Sequence, residues 1–411
     1  MSENAAAENV VIVGAGQAGG ETAAELRRQG YTGRITIVGD EPYVPYKRPP
    51  LSKTYLAGAT TTESLYVMSP AALDKANVEF IGGVRAKSID RAGKKLLLED
   101  GRSLSYGKLV LATGGRPRLL TCPGADLPGI FVLRGIGDVE AIRPHFAAGK
   151  RLVIVGGGYI GLEVAAVAAK AGLTVTVLES MPRVLQRVTA PEMSAFYERV
   201  HREAGVDVRT GMQLAGFEQQ GEALHVKLVG GDVEADLVIV GIGLIANTEL
   251  ASDAGLAVDN GIVVDEFTRT SDPDIHAAGD CTNHPSEFLG RRVRLESVQN
   301  AMEQGRAVAA NIMGKATRYA NVPWFWSDQY DLKLQMVGMS MGFDQVVVRG
   351  DPAKRSFATF YLKDGVMLAC DTVSRPQEFM LAKKMVAMKA KVDPARLADE
   401  GVPLKDQVPA G

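Results

Sequence analysis

Cysteine is scarce: three in 411 residues, at positions 122, 281 and 370. No CxxC or CxxxxC pair occurs, which excludes a redox dithiol built from neighbouring sulfurs. An odd, scattered set fits a reducing, cytoplasmic compartment better than a disulfide framework. Long apolar runs are also missing. LVIVGIGLIA falls far short of the ~20 residues that cross a bilayer, and MSENAAAENV has neither the positive flank nor the apolar core of a secretory leader. Neither sign of charge dominates: 46 Lys and Arg against 48 Asp and Glu leave −2, which argues against a nucleic-acid binder dominated by phosphate contacts. The five histidines show no metal-ligand spacing and no Ser-His-Asp pattern, so no metal is expected.

The length implies roughly two to three domains, and 46% hydrophobic with 23% charged residues is a globular composition. The first strong pattern is VVIVGAGQAGGETAAELRRQG. An apolar strand runs into Gly14-Ala15-Gly16-x-Ala18-Gly19, followed by a helix with small residues at Ala23 and Ala24. Gly14 makes the tight turn, Gly16 admits a pyrophosphate and Gly19 lets helix and strand pack. The helix N-terminus then receives the phosphate. The next strand, RITIVGDE, ends in Asp40, placed to bond ribose hydroxyls.

The pattern recurs in RLVIVGGGYIGLEVAAVAAKAGLTVTVLES, with Gly156, Gly158 and Gly161, and Glu179 at the end of the following strand. Two complete units imply two bound dinucleotides and electron transfer between them. A carboxylate at position 179 bonds a free 2′-hydroxyl and repels a 2′-phosphate, which favours NADH. Arg183 and Arg187 follow it, so some NADPH use stays open.

Two later segments mark the first site as the flavin site. TSDPDIHAAGDC closes on Gly279-Asp280, and LVLATGG carries Ala112, Thr113 and Gly114. Both resemble segments of the two-dinucleotide flavoproteins, in which the matching aspartate bonds the ribityl chain of FAD. SVQNAMEQGRAVAANIMG reads as a helix from near Ser297 whose dipole would favour anionic reduced flavin, with Val298 offering its amide. The expected architecture is α/β. Residues 1–116 and 246–322 form a Rossmann-like FAD domain, and 117–245 form a Rossmann-like NAD domain. Residues 323–411 form an α+β domain with an antiparallel sheet, a turn at Lys363-Asp364-Gly365 and a helix over about 376–390.

The segments PPLSK, GGGYIGLEVAA, RVTAPEMSAFYE, HREAGVDVRTG and PWFWSDQYDLKLQMVG are similar to those of the putidaredoxin-reductase type of NADH-dependent ferredoxin reductase. The resemblance runs from Val10 to about Leu404. It implies FAD and NAD as cofactors, with single electrons delivered to a 2Fe-2S ferredoxin that serves a haem-thiolate monooxygenase or a Rieske dioxygenase. It puts FAD against Ala18, Asp40, Lys53, Ala86, Arg134, Asp280 and Val298, and Arg48 is a further residue expected to bind cofactor. It puts NAD against Gly158, Tyr159, Ile160, Glu163, Glu179 and Gly243.

The same resemblance places Lys53, at the end of PYVPYKRPPLSK, beside the flavin N5 and able to pair with Glu163 across the domain boundary. Hydride transfer between stacked rings needs orientation and electrostatics more than an acid or base. The expected ferredoxin is acidic and would dock near Arg306, in a cluster with Arg291, Arg292 and Arg294, and near Trp324–Trp326. The protein itself is expected to be a monomer or weak dimer. Rubredoxin as acceptor is the near alternative; a redox-sensing flavin-bound interaction protein is the alternative of another class. The missing dithiol and the serine and lysine of PPLSK disfavour disulfide reductases and single-cysteine NADH oxidases.

Overall fold

A computed structural model describes residues 9–408 of the protein; the leader reading rests on residues 1–8, which lie outside that range with residues 409–411. The chain divides into two compact units, one of residues up to 48, 61–116 and 244–321, the other of 49–60, 117–243 and from 322 on.

The first unit is built on a parallel sheet in the order Ile275–Ala277, Lys108–Leu111, Val10–Val13, Ile35–Val38, Val78–Ile81. Val10–Val13 is buried along its whole length, as expected of a central parallel strand covered on both faces. Side chains alternate between the two faces. Val10 and Ile12 pack with Ala23, Leu26 and Val308 of helices Gln17–Arg28 and Val298–Ile312. Val11 and Val13 pack on the other side with Ile89, Leu96 and Leu98 of the antiparallel sheet Ala86–Asp90, Lys95–Leu98, Ser103–Ser105. The chain leaves Val10–Val13 for Ile35–Val38 on one side and later returns as Lys108–Leu111 on the other. This reversal opens a crevice at the carboxyl ends of the strands, where ligands of such sheets bind.

The second unit repeats the plan. Its parallel sheet runs Asp207–Arg209, Thr174–Leu178, Arg151–Val155, Leu237–Val240, Ile130–Val132. A three-stranded antiparallel sheet, Leu214–Gln220, Ala223–Leu228, Gly231–Ala235, covers one face through Phe217, Leu224 and Val226. The same unit holds a five-stranded antiparallel sheet in the order Trp324–Gln329, Leu332–Gly338, Val366–Val373, Ser356–Lys363, Gln345–Asp351. Helix Pro376–Ala387 lies on it. The hairpin turn has Asp364 and Gly365 at φ 51° and 73°, the left-handed pair that a two-residue hairpin needs.

Three features differ from the sequence reading, the first being that residues 323–411, expected as a domain of their own, fall in one compact unit with 117–243. Strand Trp324–Gln329 was not expected, because its three aromatics are half-buried on both faces and show no alternation. Segment 49–60, with its 3-10 turn Pro49–Ser52, groups with the second unit although the chain around it belongs to the first. Arg143 helps hold it there, donating to the Tyr55 carbonyl and lying 4.2 Å over the Tyr55 ring.

Candidate functional site

Gly14 ends its strand at φ 119°, and a Cβ there would lie 2.0 Å from the Ala112 carbonyl oxygen. Only glycine permits that turn and approach. The contact brings the glycine loop against Ala112 and Thr113, while a Cβ at Gly279 would lie 3.1 Å from the Ala18 Cβ. Ala15, Ala18, Ala112, Thr113 and Gly279 therefore converge at the strand ends. Gly16, the residue before helix Gln17–Arg28, faces open space, and no side chain caps that helix. Uncapped amides at an open helix N-terminus fit a dinucleotide pyrophosphate.

Arg48 joins this site through Glu41, at 2.7 Å, and through the Tyr46 hydroxyl at 2.9 Å. Burial pulls its guanidinium down, but Tyr46, Glu41 and Asp280 together raise it above the ordinary value. The Gly279-Asp280 turn is held from behind. Gln304 Oε1 accepts from the Gly279 amide at 2.7 Å and the Thr282 hydroxyl at 2.9 Å, and its Nε2 reaches His284 at 3.1 Å. Gln304 belongs to helix Val298–Ile312, which begins at Val298 and is capped by Ser297 Oγ accepting from the Asn300 amide. Asp40 stands exposed at its strand end with Arg85 at 3.3 Å, next to strand Ala86–Asp90, which begins at Ala86.

The second glycine turn has the same geometry. Gly156 sits at φ 115° with a Cβ position 2.3 Å from the Gly241 carbonyl, and Gly158 faces open space at the uncapped start of helix Tyr159–Lys170. Ile160 is exposed there, and Gly243 at φ 114° also borders open space. Glu179 is aimed at this turn: its Oε2 accepts from the Gly157 amide at 2.7 Å and its Oε1 from the Met181 amide at 2.8 Å. Arg183 is committed elsewhere, to the Thr189 and Gln186 carbonyls and the Ser194 hydroxyl.

One turn along the same helix, Glu163 is almost fully buried. Its carboxylate takes Lys53 Nζ at 2.6 Å, Ser52 Oγ at 2.5 Å and Ser327 Oγ at 2.6 Å. Tyr159, at the helix start, packs on Phe325 with its hydroxyl 2.8 Å from the Met336 sulfur. The Lys53–Glu163 pair is thus internal to the second unit and not a bridge over a domain boundary. Arg134 belongs to the same unit, before helix Ile136–Ile142, with its amide bonded to Asp138.

Sequence reasoning missed Ser52 and Ser327 around Glu163, and Gln304 behind Gly279. Only Ser52 had a signal, its place beside Lys53 in PPLSK. The arginine cluster is largely compensated. Arg306 pairs with Glu21 at 2.6 Å and Arg294 with Glu296 at 2.7 Å, while Arg292 donates to the Val264 carbonyl. Trp324 stacks near Trp326 and Phe379, with Lys383 over its ring.

The pyridine nucleotide-disulphide oxidoreductase family model matches residues 8–305, and the reductase C-terminal model matches residues 324–408. The chain is 51% identical to putidaredoxin reductase of Pseudomonas putida, over 98% of this chain and 97% of that one. It is 45% identical to rhodocoxin reductase of Rhodococcus erythropolis, over 97% and 93%. Among solved structures, the covalent putidaredoxin reductase-putidaredoxin complex matches with a TM-score of 0.94 and 51% identity, over 97% of this chain and 98% of that one.

Proposed function

The chain belongs to the pyridine nucleotide-disulphide oxidoreductase family, and from that premise we propose that it is an NADH-dependent ferredoxin reductase. It would take electrons from NADH through FAD to a 2Fe-2S ferredoxin that supplies a cytochrome monooxygenase. The observation that carries this reading is the duplicated open glycine turn, at Gly16 and Gly158, in a chain without any close pair of cysteines. Two dinucleotides have sites and no dithiol stands between them and an external acceptor. The full-length likeness to putidaredoxin reductase supports a ferredoxin as that acceptor.

In this reading the first unit would hold FAD, with Gly14 to Gly19 for its pyrophosphate, Asp40 for its ribose, and Arg48, Asp280 and Val298 for the rest. The second would hold NAD, with Gly156 to Gly161 for its pyrophosphate and Glu179 for its ribose. Bound FAD supplies the two-electron to one-electron conversion. Lys53 and Glu163 act as one unit: the buried carboxylate fixes the ammonium, and the pair orders the helix turn that follows the phosphate site. Among the described residues no helix is long and apolar enough to cross a membrane, and the three free cysteines suit a cytoplasmic protein.

The test is NADH-driven cytochrome c reduction with a 2Fe-2S ferredoxin, with rubredoxin, and with no carrier. Ferredoxin should give the fastest turnover; equal rates without a carrier would refute the assignment.

A further inference from the structure

The donors around Glu163 continue into the protein. A carboxylate so deeply buried is costly unless hydrogen bonds surround it, and Ser327 gives its single proton to Glu163 Oε1. The serine oxygen in turn accepts from Gln329 Nε2 at 3.2 Å. That fixes the Gln329 amide, whose Oε1 faces His201 Nε2 at 2.9 Å, so the imidazole carries its proton on Nε2. The other ring nitrogen, Nδ1, accepts from the Tyr330 hydroxyl at 2.9 Å. Every donor points the same way, from Tyr330 through His201, Gln329 and Ser327 to Glu163, an arrangement in which each bond polarises the next.

Three elements build this chain of bonds. Ser327 and Gln329 sit two apart on strand Trp324–Gln329 and so share a face. His201 comes from helix Pro191–Glu203 and Glu163 from helix Tyr159–Lys170. Ser327, Gln329 and His201 are all buried to 1% exposure or less. Burial pushes the His201 imidazole down to about 4, which keeps it neutral and its Nδ1 an acceptor at neutral pH. Tyr330 is held at φ 58°, a left-handed conformation that a tyrosine rarely adopts and that here delivers its hydroxyl to His201.

We infer that His201, Gln329 and Ser327 are positioning residues for Glu163, holding its carboxylate in the orientation that grips Lys53. The inference rests on the proposed role of the Lys53–Glu163 pair in NADH oxidation. An amide cannot hand on a proton as a hydroxyl or imidazole does, so the chain orients and does not conduct.

The test is stopped-flow reduction of the FAD-loaded enzyme by NADH, reading the limiting rate separately from half-saturation. Ser327→Ala and Gln329→Leu should each lower the limiting rate about three- to tenfold, the worth of one ordinary hydrogen bond, with half-saturation little changed. Ser327→Thr, which keeps the hydroxyl, should recover most of the rate. In a Glu163→Gln background, Gln329→Leu should slow the enzyme no further, because its effect runs through that carboxylate. An equal loss in both backgrounds would make the chain merely structural and overturn the inference, as would unchanged rates in Ser327→Ala and Gln329→Leu while Glu163→Gln is slow. A wild-type rate in Glu163→Gln itself would instead remove the underlying role of the pair. Should Gln329→Leu not fold, the two Ser327 substitutions decide alone, and Ser327→Thr behaving no better than Ser327→Ala would count against the inference.

Discussion

Lys53 Nζ lies 2.6 Å from Glu163 Oε2, with 16% of the lysine side chain and 1% of the glutamate exposed. A pair this buried differs from a surface ion pair, because removing one partner strands the other in a dry site at about 3–5 kcal/mol. Lys53→Met should therefore lower thermal stability. It should also slow flavin reduction by NADH between about tenfold and a hundredfold, since displacing a reactant by about 1 Å costs that order, while FAD stays bound. Stopped-flow absorbance at saturating NADH checks this, and a wild-type rate removes Lys53 from the mechanism.

Glu179 should set the nicotinamide preference. The Gly157 and Met181 amides hold its carboxylate in one orientation, and Arg183 is held by Thr189, Ser194 and Gln186. Removing the acid alone therefore does not free Arg183 for a 2′-phosphate, and Arg187, exposed eight positions after Glu179, is the cation left to meet one. Glu179→Ala should cost NADH about tenfold or more in kcat/KM, the worth of a charged hydrogen bond, without making NADPH a good substrate. Parallel assays with both cofactors decide, and an unchanged ratio between them would contradict the assignment.

FAD retention should depend on a residue behind the turn as well as on Asp280 itself. Gln304 satisfies the Gly279 amide in the interior, and a buried amide left unpaired costs about 1–3 kcal/mol. Asp280→Ala and Gln304→Leu should both release FAD more readily during gel filtration, with Asp280→Ala the stronger. Full retention in both would detach this turn from the cofactor.

Stability should fall with acid from near neutrality. His201, His276 and His284 are buried, and burial foremost pushes each from 6.5 down to about 4. Between those values the unfolded chain binds protons that the folded chain refuses, so their contribution is full above about pH 6.5 and is lost as the pH drops toward 4. Asp371 opposes them. Burial raises it from 3.8 to about 7, only partly offset by the bond from Tyr361, so its contribution favours the fold at low pH and fades as the pH rises through 7. Three groups outweigh one where the ranges overlap. The urea midpoint should therefore be lower at pH 5 than at pH 7; an equal or higher midpoint at pH 5 contradicts this.

Much of the fold was legible because its chemistry is local. A glycine turn between an apolar strand and a helix declares itself in sequence, and it did so at Gly14 and again at Gly156. The Asp364-Gly365 turn was readable for the same reason. Strand Trp324–Gln329 was not, since burial on both faces erases the period of two on which strand reading depends. The surroundings of Glu163 were hidden for a different reason. Ser327 lies 164 positions away, and nothing in a serine's neighbours announces that its hydroxyl will meet a distant carboxylate. His201 carries no signal in its own stretch of sequence, and only the fold shows Gln329 and Tyr330 on its two nitrogens. The arginine cluster is legible as charge adjacent in sequence, but its partners Glu21 and Glu296 appear only in the fold.

The most direct test of the central claim is anaerobic mixing of the FAD-loaded protein with limiting NADH and an excess of oxidised 2Fe-2S ferredoxin, followed by visible absorbance. The account predicts rapid bleaching of the ferredoxin, two molecules for each NADH consumed, because NADH carries two electrons and the cluster takes one. Flavin reduction by NADH that leaves the ferredoxin oxidised would contradict it.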